Sequence, residues 1–267
     1  MDQKGEFRAV RPVRPAAGYV GGKKLLAATI IERVEATEHT LYAEAFVGMG
    51  GVFLRRPAAP AIEVINDRSK DVATFFRVLQ RHYQAFMDML KWQLTSRAEF
   101  ERLKATAPDT LTDLERAARF LYLQRTAFGG KVAGRSFGVD PGRPGNFNVT
   151  NMAPMLEALH ERLAGVVIEN LDWAEFIPRY DRPGTLFYLD PPYWGSEKDY
   201  GPGFERADFA RLNDLLRRLR GCFILSLNDV SQVRELFAWA RIDAIETTYT
   251  IGQNKGKKAG ELVISTP

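Results

Sequence analysis

Four consecutive residues with complementary chemical groups follow an apolar run at 186–189, and that run predicts a buried strand. They are Asp190, Pro191, Pro192 and Tyr193. A carboxylate and a rigidly held carbonyl can accept the two hydrogens of a planar exocyclic amine and favour a more tetrahedral nitrogen. Tandem prolines fix φ and remove two donors, which holds the carbonyl of Pro191 in place. Because the tyrosine ring can stack on a flipped base, the motif predicts chemistry on an amine such as N6 of adenine, rather than a plain proline turn.

A glycine turn with Gly48 and Gly50 follows a predicted strand that contains Glu44 and Phe46. Glycines let a ligand approach the backbone, and the helix that begins after the turn has an electropositive end. Asp67 ends the next predicted strand, where a carboxylate in nucleotide-binding folds accepts hydrogen bonds from a ribose. The longer phosphate-binding glycine pattern is missing. S-adenosylmethionine (SAM), a sulfonium without pyrophosphate, therefore suits the turn better than a dinucleotide, and a plain tight turn is the alternative.

A glycine pair also precedes the first predicted helix, at 23–33. The pair allows Tyr19 and Lys23, on either side of Gly22 and its neighbour, to fold over a ligand. A flexible arm that leads into a helix is the alternative on local evidence.

The elements that must position these residues alternate between strands and helices. Strands are predicted at 40–46, 61–66, 165–169, 185–190, 221–227, 242–248 and 261–265, and further helices from 52–56 onwards and at 71–94, 111–128, 206–220 and 231–240. Thr110 or Thr112 begins the helix at 111–128, and Glu115 completes a capping box with Thr112. The last two strands predict an antiparallel hairpin at one edge. The pattern predicts one open α/β sheet formed by 1–76 and 161–267, interrupted by a helical and loop insertion at 77–160.

Together, these stretches resemble the Dam-type DNA adenine methylases, in which the cofactor motif precedes the recognition domain and the catalytic motif follows it. Residues 19–23 resemble the family's aromatic-Ala-Gly-Gly-Lys, 44–51 resemble Glu-Pro-Phe-x-Gly-x-Gly-Ser, 65–69 resemble its Asp-x-Asn segment, and 190–193 match the catalytic motif unchanged. Val20 stands where the family has alanine, and Ala45 where it has proline. Asn66 precedes Asp67, whereas the family's asparagine follows the aspartate, so Asn66, Asp67 and Ser69 all remain candidates for the ribose contact. The segment at 77–160 matches only in position and helical character.

The resemblance implies a Rossmann-like SAM-dependent methyltransferase sheet with an inserted helical target-recognition subdomain. The cofactor would be S-adenosyl-L-methionine, and the implied contacts are Tyr19, Gly22, Lys23, Glu44, Phe46, Gly48, Gly50, Asp67 and Asp190. Asp190 and Pro191 would bind the target amine, with Pro192 supporting Pro191 and Tyr193 stacking on the flipped base.

The insertion contains the predicted DNA contacts. A long loop at 129–150 is rich in glycine, proline, asparagine and basic residues, and long loops without regular structure are uncommon unless functional. We predict DNA binding by Lys131, Arg135, Arg143 and Asn146, beside the aromatic residues Phe137 and Phe147. Arginine and asparagine read guanine and adenine edges, and the base must leave the stack before its amine reaches the catalytic motif. A solvated basic loop is the alternative.

At the end of the strand at 221–227, Asn228 and Asp229 either border the base pocket or cap the next helix.

Composition narrows the class of protein. The 267 residues carry a formal charge of +4 and a pI of about 9.1, which permits a polyanionic partner without requiring one. The chain has one cysteine, Cys222, so an intrachain disulfide is excluded, and we expect Cys222 to be a buried strand residue. The three histidines do not have the clustered spacing of zinc ligands, which argues against a zinc site. No stretch has the ~18 apolar residues of a membrane helix, and the charged N-terminus lacks the apolar core of a signal peptide. We therefore expect a cytoplasmic protein, and a monomer.

The leading hypothesis is direct transfer of the SAM methyl group to N6 of a flipped adenine in double-stranded DNA. The same motif could also bind other planar amines, so the alternative methyl acceptors are cytosine N4, RNA or a protein amide. A non-catalytic SAM- or DNA-binding regulator is the alternative from another class, and the presence of both Asp190 and Lys23 argues against it. The recognition sequence and the presence of a cognate restriction endonuclease stay open.

Overall fold

The computed structural model of the chain describes residues 7–19, 26–138, 142, 145–200, 203–249 and 257–267. In these residues the strands are β1 (Arg8–Ala9), β2 (Leu41–Glu44), β3 (Ala58–Ala59), β4 (Ile62–Asn66), β5 (Val167–Glu169), β6 (Thr185–Leu189), β7 (Cys222–Asn228), β8 (Arg241–Tyr249) and β9 (Lys257–Ser265). The α-helices are α1 (Ala27–Ala36), α2 (Lys70–Arg81), α3 (Tyr83–Leu90), α4 (Arg97–Ala105), α5 (Asp113–Thr126), α6 (Val149–Arg162), α7 (Trp173–Tyr180), α8 (Arg206–Leu216) and α9 (Ser231–Leu236).

Seven of these strands form one sheet in the order β5-β4-β2-β6-β7-β9-β8. Strands β5, β4, β2, β6 and β7 are parallel, and β9 runs antiparallel to both of its neighbours. The predicted open α/β sheet is confirmed. The predicted hairpin of the last two strands is also confirmed, with β8 at the edge and β9 between β7 and β8.

The strand order reverses between β2 and β6. From β2 the chain continues to β4 and β5 on one side, and after α7 it returns to β6 on the other side. Open α/β sheets bind ligands outside the carboxyl ends of the strands at such a reversal. Glu44 at the end of β2 pairs in register with Tyr188 of β6, so Asp190 lies two residues farther along the neighbouring strand.

Strands β2 and β6 are fully buried because both of their faces are covered. Successive side chains of a strand point to opposite faces. Tyr42 and Tyr188 accordingly belong to one hydrophobic cluster, and Ala43 and Phe187 belong to the other. The uninterrupted apolar pattern of these strands is thus explained by helices on both sides of a parallel sheet.

The inserted helices share a hydrophobic core with the sheet. Phe75 of α2 contacts Phe86 of α3 and Phe120 of α5, and all three belong to the cluster that contains Tyr188. The predicted boundaries at 77 and 160 lie inside α2 and α6, which contact each other.

Several element predictions in this part of the chain are changed by the structure. The helix predicted at 71–94 is divided into α2 and α3 at His82, and the one predicted from 52 onwards is a short 3-10 turn at Phe53–Arg55. The capping box of Thr112 and Glu115 at the start of α5 is confirmed. Cys222 begins β7 but is only half-buried, because it lies at the end of the strand.

A buried cluster of charges connects α6 to the sheet. Both guanidinium nitrogens of Arg162 bind the carboxylate of Glu63 on β4, at 2.7 and 2.8 Å, and Arg56 lies 3.3 Å from the same carboxylate. The Arg56 guanidinium also stacks 3.8 Å from the centre of the Tyr42 ring. One carboxylate therefore balances two arginines away from water, and this carboxylate is essential to the cluster.

Two negative findings concern only the described part of the chain. None of its helices has the length and apolar character needed to span a membrane. No group of three or more histidine, cysteine, aspartate or glutamate side chains there could hold a metal ion.

Glu63→Gln should lower the free energy of unfolding by about 3–5 kcal/mol, because it leaves two buried guanidinium groups without a carboxylate. Chemical denaturation measures the change. The matched control is Arg77→Ala, which breaks an exposed 2.6 Å ion pair with Asp113 and should cost less than about 1 kcal/mol. Equal stability of the two variants would contradict the anchoring role of Glu63.

Candidate active site

The residue that follows β6, Asp190, is held by a chain of buried hydroxyl groups. Ser226 of β7 donates to the Asp190 carboxylate at 2.9 Å, and the Tyr188 hydroxyl lies 3.0 Å from the Ser226 oxygen. Since the single Ser226 hydrogen goes to Asp190, Tyr188 must donate to Ser226. Both hydroxyl residues are almost fully buried. The orientation of the carboxylate is thus set from inside the sheet.

The residues after the two buried prolines are held by two more side chains. Asn228, at the end of β7, accepts the backbone N–H of Trp194 at 2.9 Å and donates to its carbonyl at 3.1 Å. The Tyr193 hydroxyl donates to the carboxylate of Glu261 on β9 at 2.5 Å. Asn228 thus supports the loop at 190–194 and does not cap the next helix, which begins after Val230 without a side-chain cap.

The glycine turn after β2 is bound to the end of β4. Asp67 accepts the backbone N–H of Gly48 at 2.8 Å with one oxygen and that of Ser69 at 2.8 Å with the other. Gly48 and Gly50 have φ values of +51° and +76°, which L-residues with side chains rarely adopt. A Cβ on Gly48 would lie 3.1 Å from the Tyr19 ring, so this ring lies directly against the turn.

The structure narrows the three candidates for a ribose contact. Asn66 is fully buried, and its amide binds the Ala45 carbonyl and both backbone groups of Leu171. The Ser69 backbone binds Asp67, whose carboxylate is half-buried. Burial raises the pKa of Asp67 to about 6, and the N–H donors of Ser69 and Gly48 partly oppose that rise. Of the three candidates, Asp67 is the one whose side chain binds the glycine turn, and it is the only acidic one.

Glu44 is a second carboxyl group at the end of β2, and it is almost completely inaccessible to solvent. It accepts a hydrogen bond from the Tyr42 hydroxyl at 2.5 Å. Burial raises the pKa of Glu44 to about 8; the hydrogen bond from Tyr42 and the charge of Arg56 lower it, and the charge of Asp190 raises it. At neutral pH the group is mainly protonated. Phe46, the next predicted contact, is half-buried and packs edge-to-face on Phe204, with ring centres 5.9 Å apart.

The loop after α5 lies against the segment that contains Tyr19. Gln124, buried in α5, donates to the carbonyls of Gly18 and Gly130 at 2.8 and 2.7 Å. Arg135 donates to the Gln124 side chain at 3.0 Å and to the Lys131 carbonyl at 3.1 Å. The predicted DNA-binding loop is therefore bound through Gln124 to Gly18, the residue before Tyr19.

The predicted DNA contacts are distributed unevenly between surface and interior. Lys131 and Asn146 are exposed, and Arg135 is half-buried. Phe137 and Phe147 pack inward, on Phe100 and Tyr122. Arg143, like Gly22 and Lys23 of the predicted cofactor site, lies outside the described residues.

Sequence reasoning missed several residues of this region. Ser226 is a lone hydroxyl within the apolar run of β7, which is the signal that could have revealed it. Glu261 likewise precedes an apolar run in β9. Phe128, which ends up 62% exposed beside the turn at Gly129 and Gly130, is not distinguished in the sequence from its buried aromatic neighbours.

Comparison with known proteins gives consistent matches. A family model described as D12 class N6 adenine-specific DNA methyltransferase matches residues 19–251. The type II methyltransferase M1.LlaDCHI of Lactococcus lactis subsp. cremoris is 26% identical over an alignment that covers 95% of this chain and 95% of that protein. The type II methyltransferase M.CviBI of Paramecium bursaria Chlorella virus NC1A is 21% identical and covers 94% of this chain and 96% of that protein.

Solved structures with a similar fold are more distant. A SAM-dependent methyltransferase from Agrobacterium tumefaciens has a TM-score of 0.42 at 10% identity, over 97% of this chain and 71% of that chain. The rRNA methyltransferase AviRa from Streptomyces viridochromogenes has a TM-score of 0.38 at 12% identity, over 96% of this chain and 86% of that chain. The fold assignment rests on the observed strand order.

Glu44→Gln should flatten the dependence of stability on pH. The folded protein holds a proton on Glu44 up to about pH 8, whereas an ordinary glutamate loses it near 4.5, so the free energy of unfolding falls as the pH rises through this range. One proton gives a slope of at most about 1.4 kcal/mol per pH unit. Urea denaturation at several values between about pH 7 and 8, above the pKa of Asp67, measures the slope, and the difference between wild type and variant isolates Glu44. Identical slopes for wild type and variant would refute the assignment.

Proposed function

The chain belongs to the D12 class N6 adenine-specific DNA methyltransferase family, and on that premise we propose that Asp190, Pro191 and Tyr193 carry out the transfer. The enzyme methylates N6 of adenine in DNA and uses S-adenosylmethionine. The observation that carries the residue assignment is the position of Asp190. It follows β6 at the reversal of strand order, beside the glycine turn that follows β2.

The residues around the turn fit the cofactor. Two glycines with positive φ leave the backbone of the turn without side chains, and the Asp67 carboxylate and the Tyr19 ring border it. We assign the ribose hydroxyl groups to Asp67 and the face of the turn to Tyr19. Phe46, Gly48 and Gly50 would line the cofactor, and the roles of Gly22 and Lys23 rest on the sequence motif alone.

Glu44 would respond to the charge of the cofactor. S-adenosylmethionine supplies, when bound, a methyl group on a positively charged sulfonium. A positive charge near a buried carboxyl group favours its ionised form. Cofactor binding is therefore expected to lower the pKa of Glu44 and to release a proton at neutral pH.

Asp190 and Pro191 act on the amine. The N6 lone pair is delocalised into the adenine ring, so acceptance of its hydrogens by the Asp190 carboxylate and the Pro191 carbonyl favours the nucleophilic geometry. N6 would take the methyl group directly from the sulfonium, without a covalent intermediate on the enzyme. The methylated nitrogen carries a positive charge and is acidic, so its proton leaves toward Asp190. Positioning of this kind can contribute up to about 7–11 kcal/mol.

Access to N6 requires that the adenine leave the duplex. Phe128 is an exposed aromatic residue at the start of the predicted DNA-binding loop. It lies two residues before Gly130, whose carbonyl binds Gln124. We propose that its ring fills the gap that the flipped adenine leaves in double-stranded DNA. Lys131 and Asn146 would contact the DNA beside it, and Arg135 would support the loop.

The names of the relatives bear on the biological role of this chain. The two relatives described above are named type II methyltransferases. We propose that this chain likewise modifies a specific DNA site, acts as a monomer, and protects that site from a cognate restriction endonuclease.

Incubation with radiolabelled cofactor and unmethylated genomic DNA should place the label in N6-methyladenine. Asp190→Ala should reduce the rate by more than about 10²-fold while cofactor binding, measured by calorimetry, is retained. Asp214→Ala removes an exposed aspartate of α8 and serves as the matched control. Label in N4-methylcytosine, or an active Asp190→Ala protein, would overturn the assignment.

Phe128→Ala should weaken binding of duplex DNA by about 5- to 150-fold, because stacking of an aromatic ring on a base contributes about 1–3 kcal/mol. Phe128→Tyr keeps the ring and should bind DNA as wild type does. Fluorescence anisotropy with a labelled duplex measures the affinity, and the affinity for the cofactor should not change. If both variants bind DNA equally well, Phe128 does not stack in the duplex.

A further inference from the structure

Glu261 is a carboxylate buried in the sheet next to the catalytic loop. Only 1% of its surface is exposed, and it lies opposite Asn228 in the antiparallel pairing of β9 with β7. Burial of a charged or polar group costs free energy unless it is paired and hydrogen-bonded. The Tyr193 hydroxyl donates to it at 2.5 Å, so a residue of β9 reaches the tyrosine of the catalytic motif.

The contact with Glu261 differs from the other contacts of the loop. Asn228 binds only the backbone of Trp194, and Ser226 binds the Asp190 carboxylate. Neither of these bonds restricts the torsion angles of the Tyr193 side chain. A hydrogen bond at the hydroxyl fixes the far end of the ring while the backbone fixes the near end. The bond to Glu261 therefore fixes the direction of the ring axis, from Cβ to the hydroxyl.

We propose that Glu261 is a positioning residue that holds the Tyr193 ring in place before DNA binds, so that the ring receives the flipped adenine at one position. This inference rests on the proposed stacking role of Tyr193. The position of the base on the ring determines the distance from N6 to Asp190. A misplacement of about 1 Å at a reacting centre can cost about 10²-fold in rate.

The proposal predicts a specific pattern of kinetic changes. Tyr193→Phe keeps the ring and removes only the hydroxyl, and Glu261→Ala removes the acceptor. Each should lower kcat by up to about 10²-fold and leave the affinity for the cofactor unchanged. Glu261→Gln keeps an acceptor oxygen and should restore most of kcat. Because the two residues act through one bond, the double variant should be no slower than the slower single variant.

A second pair of the same kind provides the control. Tyr180 donates to Glu169 at 2.5 Å, on β5, which is separated from β6 by β4 and β2. Tyr180→Phe and Glu169→Ala remove the same groups at a place without contact to the loop. They should leave kcat unchanged, and melting temperatures of all variants show whether each protein is folded.

The deciding experiment uses a duplex with 2-aminopurine at the target adenine, in the site first mapped by sequencing methylated DNA. Fluorescence of this base is quenched when it stacks on a ring and rises when it is flipped without stacking. Tyr193→Phe and Glu261→Ala should give brighter complexes than wild type, with kcat reduced, and Glu261→Gln should resemble wild type. Wild-type brightness and kcat in Tyr193→Phe would overturn the role of Glu261, even if Glu261→Ala fails to fold.

If the proposed stacking of Tyr193 on the flipped base is wrong, the fluorescence of the variants gives a different pattern. If Tyr193 does not stack on the base, Tyr193→Ala would give the same fluorescence as wild type, and the role of Glu261 would fall with it. If stacking is real but independent of Glu261, Tyr193→Ala would be bright while Tyr193→Phe and Glu261→Ala match wild type. That outcome would overturn only the inference about Glu261.

Discussion

The parallel pairing of β2 with β6 is the constraint on which the functional site depends. Glu44 lies opposite Tyr188, so the chain enters the glycine turn and the catalytic motif at the same edge of the sheet. The strand order reverses here, and open α/β sheets bind ligands outside the carboxyl ends of the strands at such a reversal. The same pairing buries Glu44 beside Asp190, and burial raises the pKa of Glu44 to about 8.

Three polar residues, two at the carboxyl end of β7 and one opposite them on β9, hold the loop at 190–194. Ser226 and Asn228 are two positions apart and therefore point to the same face of the strand, and Glu261 is paired directly with Asn228. They bind Asp190, the backbone of Trp194 and the hydroxyl of Tyr193. Buried polar groups are costly unless they are satisfied. Here they are satisfied by the loop itself, and in the proposed mechanism these bonds orient the reacting groups before substrate binds.

The helices at 77–160 are connected to the glycine turn after β2 through Gly18 and Tyr19. Gln124 binds Gly18 and Gly130 together, and the Tyr19 ring beside Gly18 lies against Gly48. A DNA contact at the exposed Phe128 would therefore be connected to the glycine turn through Gly130, Gln124 and Tyr19. The aromatic residues expected on this loop pack inward, because the hydrophobic core that joins the insertion to the sheet extends under it.

The sequence by itself determined the parts whose chemistry lies in contiguous residues. Asp190 to Tyr193 and the turn at Gly48 were predicted because strand, turn and reactive group are neighbours in the chain. The contacts of Ser226 and Glu261 were decided only by the tertiary structure. Ser226 binds Asp190 across 36 residues of sequence, and Glu261 binds Tyr193 across 68 residues. Those contacts exist only after β7 and β9 pair beside β6, and no local pattern encodes the register of strands that are distant in sequence.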